Sequence, residues 1–224
     1  MATKFHAKWT LGNRLLAKTE TAERRIACFS IPADLDFELA GERANTCPGA
    51  SACAGVCYAK QGKYKIPVVA AARRFNLDLS LAPGFVEKLM EDLSALTNRR
   101  RPITVVRLHD SGDFYSQRYL DDWARIAARM PGVEVYAYTK SHHLDFSRTP
   151  ANLRIIRSLG GKFDALIDLG RQHSRIFSTH EDRERAGYVD GLIGDGPALD
   201  GEVKLGQVYH GSRRMTEPQT RFFR

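Results

Sequence analysis

What most constrains the fold is an alternation of β-branched runs with amphipathic stripes along the 224 residues. Arg25-Ile26-Ala27-Cys28-Phe29-Ser30-Ile31 has strand composition and stops at Pro32, and Pro102-Ile103-Thr104-Val105-Val106-Arg107-Leu108-His109 is a second such run. Val133 to Tyr138, Leu153 to Arg157 and Ala165 to Leu169 read as three more, with Lys204 to His210 as a last candidate. Between them, Val68, Val69, Ala72, Phe75 and Leu79 recur at helical spacing from Pro67, and Phe85, Leu89, Leu93 and Leu96 do so after Pro83-Gly84. Leu120, Trp123, Ala127 and Met130 mark a third helix over Tyr119 to Met130. Strands alternating with helices imply right-handed βαβ units and a parallel sheet. The length suits one α/β domain over residues 1–224, with a cysteine-rich loop at about 32–66.

In such a sheet the loops that follow the strands share one edge, where α/β barrels place their active sites. The cysteine loop follows the first strand, His109-Asp110-Ser111-Gly112-Asp113 the second, Thr139-Lys140-Ser141-His142-His143 the third and Gly170-Arg171-Gln172-His173 the fifth. Gly191 to Gly201 is rich in Gly and Asp and is expected to be an exposed loop.

Three of the four cysteines, Cys47, Cys53 and Cys57, fall within eleven residues in a C-x5-C-x3-C pattern. Thiolates this close along a Gly/Pro-rich loop can converge on one metal centre, and three sulfurs leave it one ligand short. The spacing matches neither the paired C-x2-C of zinc ribbons nor common ferredoxins, so an iron–sulfur cluster, structural zinc completed by a histidine, and no metal all stay open. Cys28, inside a strand, reads as a small buried hydrophobe. His109 to Asp113 joins a base or ligand to two carboxylates around a flexible glycine, and Asp and Ser also build helix caps and turns. Lys140, His142 and His143 form a polar loop, and Tyr209-His210-Gly211 is a further polar group.

A formal net charge of +8, recurring in Arg24-Arg25, Arg73-Arg74, Arg99-Arg100-Arg101, Arg213-Arg214 and Arg221 to Arg224, fits a solvated cationic surface or an anionic partner such as DNA, RNA or another phosphate-bearing ligand. No apolar run approaches the roughly 20 residues of a membrane span. Met1 to Lys18 is basic and mixed, without a secretory h-region, which predicts a cytoplasmic protein with reduced thiols.

The order of strand, three-cysteine loop, helix and strand ending in Ser111-Gly112-Asp113 resembles the radical S-adenosylmethionine superfamily. The resemblance implies a partial (β/α)6 TIM-like barrel. It implies that Cys47, Cys53 and Cys57 hold a [4Fe-4S] cluster, and that Ser111, Gly112 and Asp113 hold the amino group of S-adenosylmethionine. His109, Asp110 and Lys140 then line the substrate side. The usual spacing there is C-x3-C-x2-C, from which this chain departs. Phe29-Ser30-Ile31-Pro32, Thr46-Cys47-Pro48-Gly49-Ala50, Cys57-Tyr58-Ala59, Arg107 to Tyr115 and Tyr138-Thr139-Lys140-Ser141 are similar to an uncharacterised phage-associated family, gene product 88. That resemblance implies no reaction, and for a phage-encoded chain it implies the host cytoplasm. The expectation is an iron–sulfur enzyme acting on a nucleic acid or nucleotide-like substrate. Its rival is a zinc-stabilised, non-enzymatic nucleic-acid-binding protein of phage origin.

Overall fold

The computed structural model describes residues 5–12, 14–191 and 194–209, with the side chains of residues 14–16 excepted. In chain order the elements are β1 (Thr10–Leu11), α1 (Arg14–Thr19), β2 (Ile26–Phe29), β3 (Asp36–Leu39), β4 (Glu42–Asn45), α2 (Cys53–Val56), α3 (Pro67–Leu81), α4 (Phe85–Thr97), β5 (Val105–Leu108), α5 (Gln117–Arg129), β6 (Glu134–Thr139), β7 (Leu153–Ser158), β8 (His173–Phe177), α6 (His180–Arg185), β9 (Val189–Asp190), α7 (Gly196–Leu199) and β10 (Lys204–Val208). Eight strands form one sheet in the order β1-β2-β5-β6-β7-β8-β10-β9. Every pairing from β2 onward is parallel, and β1 lies antiparallel on β2. The sheet ends at β1 and β9, and no pairing among the described residues closes it. A mixed α/β fold with a large, mostly parallel sheet is therefore what the alternation encodes.

Both faces of the sheet are covered, which is why β5 can be buried along its whole length. On the outer face Ala27, Phe29, Val106, Leu108, Val135 and Ala137 join the main core with α3, α4 and α5. The Phe29 ring lies 5.2 Å from Trp123 and 6.0 Å from Phe85, edge-on to both. α5 presents Leu120, Trp123, Ile126 and Ala127 to this layer, and its N-terminus is capped where the Ser116 hydroxyl accepts from the Tyr119 N–H at 3.2 Å. On the inner face Ile26, Cys28, Val105, Tyr136, Ile156 and Leu205 share a smaller cluster with Ala198 and Leu199 of α7. An N-terminal strap closes the outer layer: buried Asp92 accepts from the backbone N–H of His6 at 2.7 Å and Ala7 at 2.8 Å and from the Trp9 indole at 2.8 Å.

Three expectations are corrected. Ala165 to Leu169 is not a strand. The Asp164 carboxylate accepts from the N–H of Gly160 and Gly161 and turns the chain into a 3-10 turn over Asp164–Leu166, leaving Leu166 and Leu169 exposed. The strand forms instead at β8, so Gly170 to His173 leads into the N-terminal end of a strand and does not follow one. On α3 the buried residues are Asn76, Leu77, Leu79 and Ser80, while Val68 and Phe75 are exposed, because the strap and Tyr115 cover a different face from the one the apolar spacing marks. Gly191 to Gly201 is not a plain exposed loop either. Residues 192–193 lie outside the described residues, but Asp195, Ala198 and Leu199 are buried under the sheet. The segment at 32–66 carries the β3–β4 hairpin, α2 and two 3-10 turns.

Candidate functional site

The loops after β2, β5, β6 and β7 meet at the C-terminal edge of the sheet around a cavity of about 180 Å³. Cys47, Cys53 and Cys57 line it together with His109 to Asp113, Lys140, Ser158 and Arg107. Cys47 follows the β3–β4 hairpin. Its N–H donates to the Asn45 side chain at 2.7 Å, and its sulfur accepts from the Asp34 N–H at 3.3 Å. Cys53 opens α2 and Cys57 ends it. Burial pushes the Cys47 and Cys57 thiols up, and Cys53 adds to both shifts, so the three sulfurs lie within one another's electrostatic reach. Among the described residues no three His, Cys, Asp or Glu side chains are gathered closely enough to hold one metal ion. Cys28 lies apart in the inner cluster, its thiol pushed up to about 12 by burial.

The loop after β5 is braced on every side. His109 adopts a left-handed backbone at φ +63°, donates its N–H to Phe29 at 2.8 Å and sends its ring against Phe114 and the Tyr119 hydroxyl, 3.0 Å from Nε2. Burial holds that imidazole neutral, its pKa lowered to about 3. Asp110 is paired with Arg73 of α3 at 3.1 Å, and its carbonyl accepts from the Tyr58 hydroxyl. The Ser111 hydroxyl accepts from Arg73 at 2.6 Å and donates to the Ile31 carbonyl at 2.7 Å. Gly112 has φ +83°, and a Cβ there would meet Ile31 Cγ1 at 2.3 Å, so only glycine lets the loop lie against the end of β2. Asp113 accepts from the Thr139 hydroxyl at 2.6 Å and from the N–H of Phe114 and Lys140 at 2.7 and 2.8 Å. Burial raises its pKa against these hydrogen bonds.

Lys140 donates to Ser158 Oγ at 2.7 Å and to the carbonyls of Leu159 at 2.5 Å and Ser158 at 3.3 Å, using all three ammonium protons. Burial lowers its pKa, and Cys53 and Asp113 oppose that shift. The cysteine loop sits directly on it: a Cβ at Gly49 would lie 2.0 Å from the Lys140 carbonyl oxygen. A bridge from Ala50 to Gly161 fixes the same loop to the segment after β7. His142 bonds the Ser158 carbonyl at 3.1 Å and the His143 ring packs at a tilt against Phe163. Of the Tyr209-His210-Gly211 group, Tyr209 lines the cavity, and His210 and Gly211 lie outside the described residues.

The expected site residues thus come together, but Ser111, Asp113, His109 and Lys140 are engaged in holding the loops. Two features escaped the sequence. Arg73 and Tyr64 reach the β5 loop from α3 and the turn before it. Arg107, the charged residue inside an apolar strand, pairs with Asp195 at 2.6 Å on the inner face. An arginine at the centre of Val105-Val106-Arg107-Leu108 is itself a signal, because a buried charge must find a partner. Among the described residues the arginine runs do not line the cavity as a stripe. Arg99 to Arg101 precede β5 at the opposite edge, and Arg213-Arg214 and Arg221 to Arg224 lie outside the described residues.

A mostly parallel α/β sheet with a cysteine-lined cavity at its C-terminal edge is the class of protein described so far. The sequence model of the gene product 88 family matches residues 4–223, and the chain belongs to that family. It is 28% identical over 138 residues to the Gene 88 protein of Mycobacterium phage D29, and 29% identical over 138 residues to the Gene 88 protein of Mycobacterium phage L5. Each match covers 52% of this chain and 58% of the relative. No solved structure matches. Neither the family nor these relatives speaks for the radical S-adenosylmethionine resemblance. No helix among the described residues is long and apolar enough to cross a membrane.

Proposed function

We propose that the chain is an iron–sulfur protein in which Cys47, Cys53 and Cys57 hold a [4Fe-4S] cluster at the cavity and a phosphate-bearing or nucleotide-like substrate binds beside it. One observation carries the reading: three thiols from one loop converge on a cavity at the strand edge where such folds place their chemistry. Burial disfavours the bare thiolates of Cys47 and Cys57, and a cationic centre reverses that preference. Bound there, a cluster supplies an electron and, with three protein ligands, an open coordination position.

The chain's own residues then orient and shield. Asp113 and Lys140 set the spacing between the β5 and β6 loops, and Gly49 and Ala50 seat the cysteine loop on Lys140. S-adenosylmethionine is the candidate external ligand. In this reading Ser111 and Asp113 act on it by fixing the loop around Gly112, since their oxygens already hold neighbouring groups. The consecutive order β2-β5-β6-β7-β8 and the shared inner cluster support describing the sheet as a partial (β/α)6 barrel.

Anaerobic purification and reconstitution, followed by iron, sulfide and zinc analysis and a visible spectrum, tests the reading. Iron with matching sulfide and a charge-transfer band is expected. Stoichiometric zinc without sulfide moves the protein to the zinc-stabilised class, and an apo protein that takes up neither overturns both.

A further inference from the structure

The outer face of the sheet is not covered evenly. Crossovers in a parallel sheet ordinarily lay a helix on it, but those from β6 to β7 and from β7 to β8 contain no α-helix, only a loop and the 3-10 turn at Asp164–Leu166. Strand register says what lies on the face left without them. Arg157 shares the face of Ile155, which packs against the main outer core, and its guanidinium sits over the Phe146 ring at 4.0 Å. Arg157 is in register with His173, His173 is in register with Lys204, and Arg175 follows on the same face of β8. Neighbouring strands are about 4.8 Å apart, so Arg157 and Lys204 start about 10 Å from each other, with Arg175 roughly 7 Å further along the middle strand.

The half-buried Tyr188 ring lies among these cations. Its hydroxyl is 2.9 Å from His173 Nε2, its centroid is 5.8 Å from Lys204 Nζ, and the charge of Arg175 reaches it. Arg171, just before β8, is near enough to Arg157 for its charge to lower the Arg157 pKa. Counter-charges are missing. Among the described residues Arg157, Arg175 and Lys204 form no ion pair, and Arg171 has only the exposed Asp168 at 3.5 Å. The carboxylates of the adjoining α6 layer are taken by its own arginines: Glu181 and Asp182 bind Arg185, and Glu184 and Asp190 bind Arg183. Arg157 is half-buried, and burial and Arg171 both lower its pKa with no carboxylate opposing them. A bound polyanion relieves that cost. The spread of the cations over three strands exceeds a single phosphate or carboxylate, and guanidinium planes beside an aromatic ring offer stacking faces that an acidic peptide does not use.

We propose that this strip is a binding surface for single-stranded nucleic acid, with Arg157, Arg171, Arg175 and Lys204 on its phosphates and Tyr188 as the platform on which a base stacks. Arg175 also borders the cysteine-lined cavity, so a strand bound here reaches the cavity edge. The surface needs no cluster and fails separately from the iron–sulfur reading.

Fluorescence anisotropy of a short labelled oligothymidylate, titrated with the full chain at several salt concentrations, decides it. Saturable binding that weakens with salt is expected. Arg157→Gln and Arg175→Gln should each weaken it about fivefold and flatten the log–log salt slope by about 0.7. Tyr188→Leu should weaken it about fivefold or more and leave that slope unchanged, because stacking releases no counterion. Arg100→Gln removes a charge from the run before β5 and should stay within about twofold of the wild type. If circular dichroism shows Arg157→Gln unfolded, Arg175→Gln and Lys204→Gln carry the test. The proposal is overturned by absence of binding at low ionic strength or by a loss at Arg100→Gln equal to that on the strip. A labelled polyglutamate that binds as tightly and ignores Tyr188→Leu overturns it in favour of an acidic polypeptide.

Discussion

On its outer face the sheet sets Phe29, Val106 and Leu108 against the rings of Phe85, Tyr119 and Trp123, whereas its inner face sets Arg107 against Asp195 and two tyrosine hydroxyls. The outer layer is an ordinary apolar core whose contribution grows with the area it removes from water. The inner layer places an ion pair where both partners are almost fully buried. Such a pair is commonly no more stabilising than apolar side chains of the same volume, because desolvation offsets the attraction. Two layers of one sheet therefore obey different rules. The apolar one makes the fold, and the polar one leads up to the cysteine-lined cavity, whose wall includes Arg107.

The sharpest way to break this contrast is to remove one partner from each layer. Arg107→Ala or Asp195→Ala leaves a charge buried alone and should destabilise by about 3–5 kcal/mol in urea denaturation. Joint replacement by Met and Leu should recover most of that loss. Phe29→Ala should cost about 3–5 kcal/mol as a cavity, with no second substitution on the inner face restoring it. A double Arg107/Asp195 variant no more stable than either single would show the pair to be structural after all.

A smaller effect is expected at Asp113, which joins the loops after β5 and β6. Asp113→Asn puts an amide donor where an acceptor faces either the Lys140 N–H or the pair of donors at the other oxygen. The expected loss is about 1–3 kcal/mol, with protease cleavage rising first in the cysteine loop seated on Lys140. Uniform destabilisation with no change in that loop would separate Asp113 from the site.

The last effect is absent at neutral pH and appears only in acid. Burial lowers the His109 pKa from 6.5 to about 3, so the folded protein keeps this ring neutral while the unfolded chain protonates it. Its contribution is fully present above about 6.5 and is lost progressively as the pH falls towards 3. His109→Gln should flatten the acid limb of the stability profile across that window. An unchanged slope would mean that His109 does not resist protonation in its aromatic pocket.

The periodic parts of the fold were legible because they are local. β2, β5, β6, β7 and the helices α4 and α5 announce themselves through β-branched runs or a 3.6-residue stripe. β8 did not, since His173-Ser174-Arg175-Ile176-Phe177 alternates weakly, and its strand state comes from pairing with β7 and β10. The more apolar Ala165 to Leu169 looked better and found no neighbour to pair with. At the site the cysteines, His109 to Asp113 and Lys140 were visible as clustered polar residues after strands. Their engagement with Ile31, Thr139 and Ser158 was not, because those partners come from other loops and strand ends. Asp195 lies 88 residues from Arg107, beyond anything spacing can reveal.

The central claim is that the cavity thiols, and not the inner-core thiol, hold an iron–sulfur centre. Iron and sulfide per chain after anaerobic reconstitution, measured for the wild type and for Cys47→Ala, Cys53→Ala, Cys57→Ala and Cys28→Ala, test it most directly. The account predicts that each of the first three substitutions abolishes retention while Cys28→Ala keeps the wild-type content. Full iron in any of the three cavity variants, or loss confined to Cys28→Ala, would contradict it.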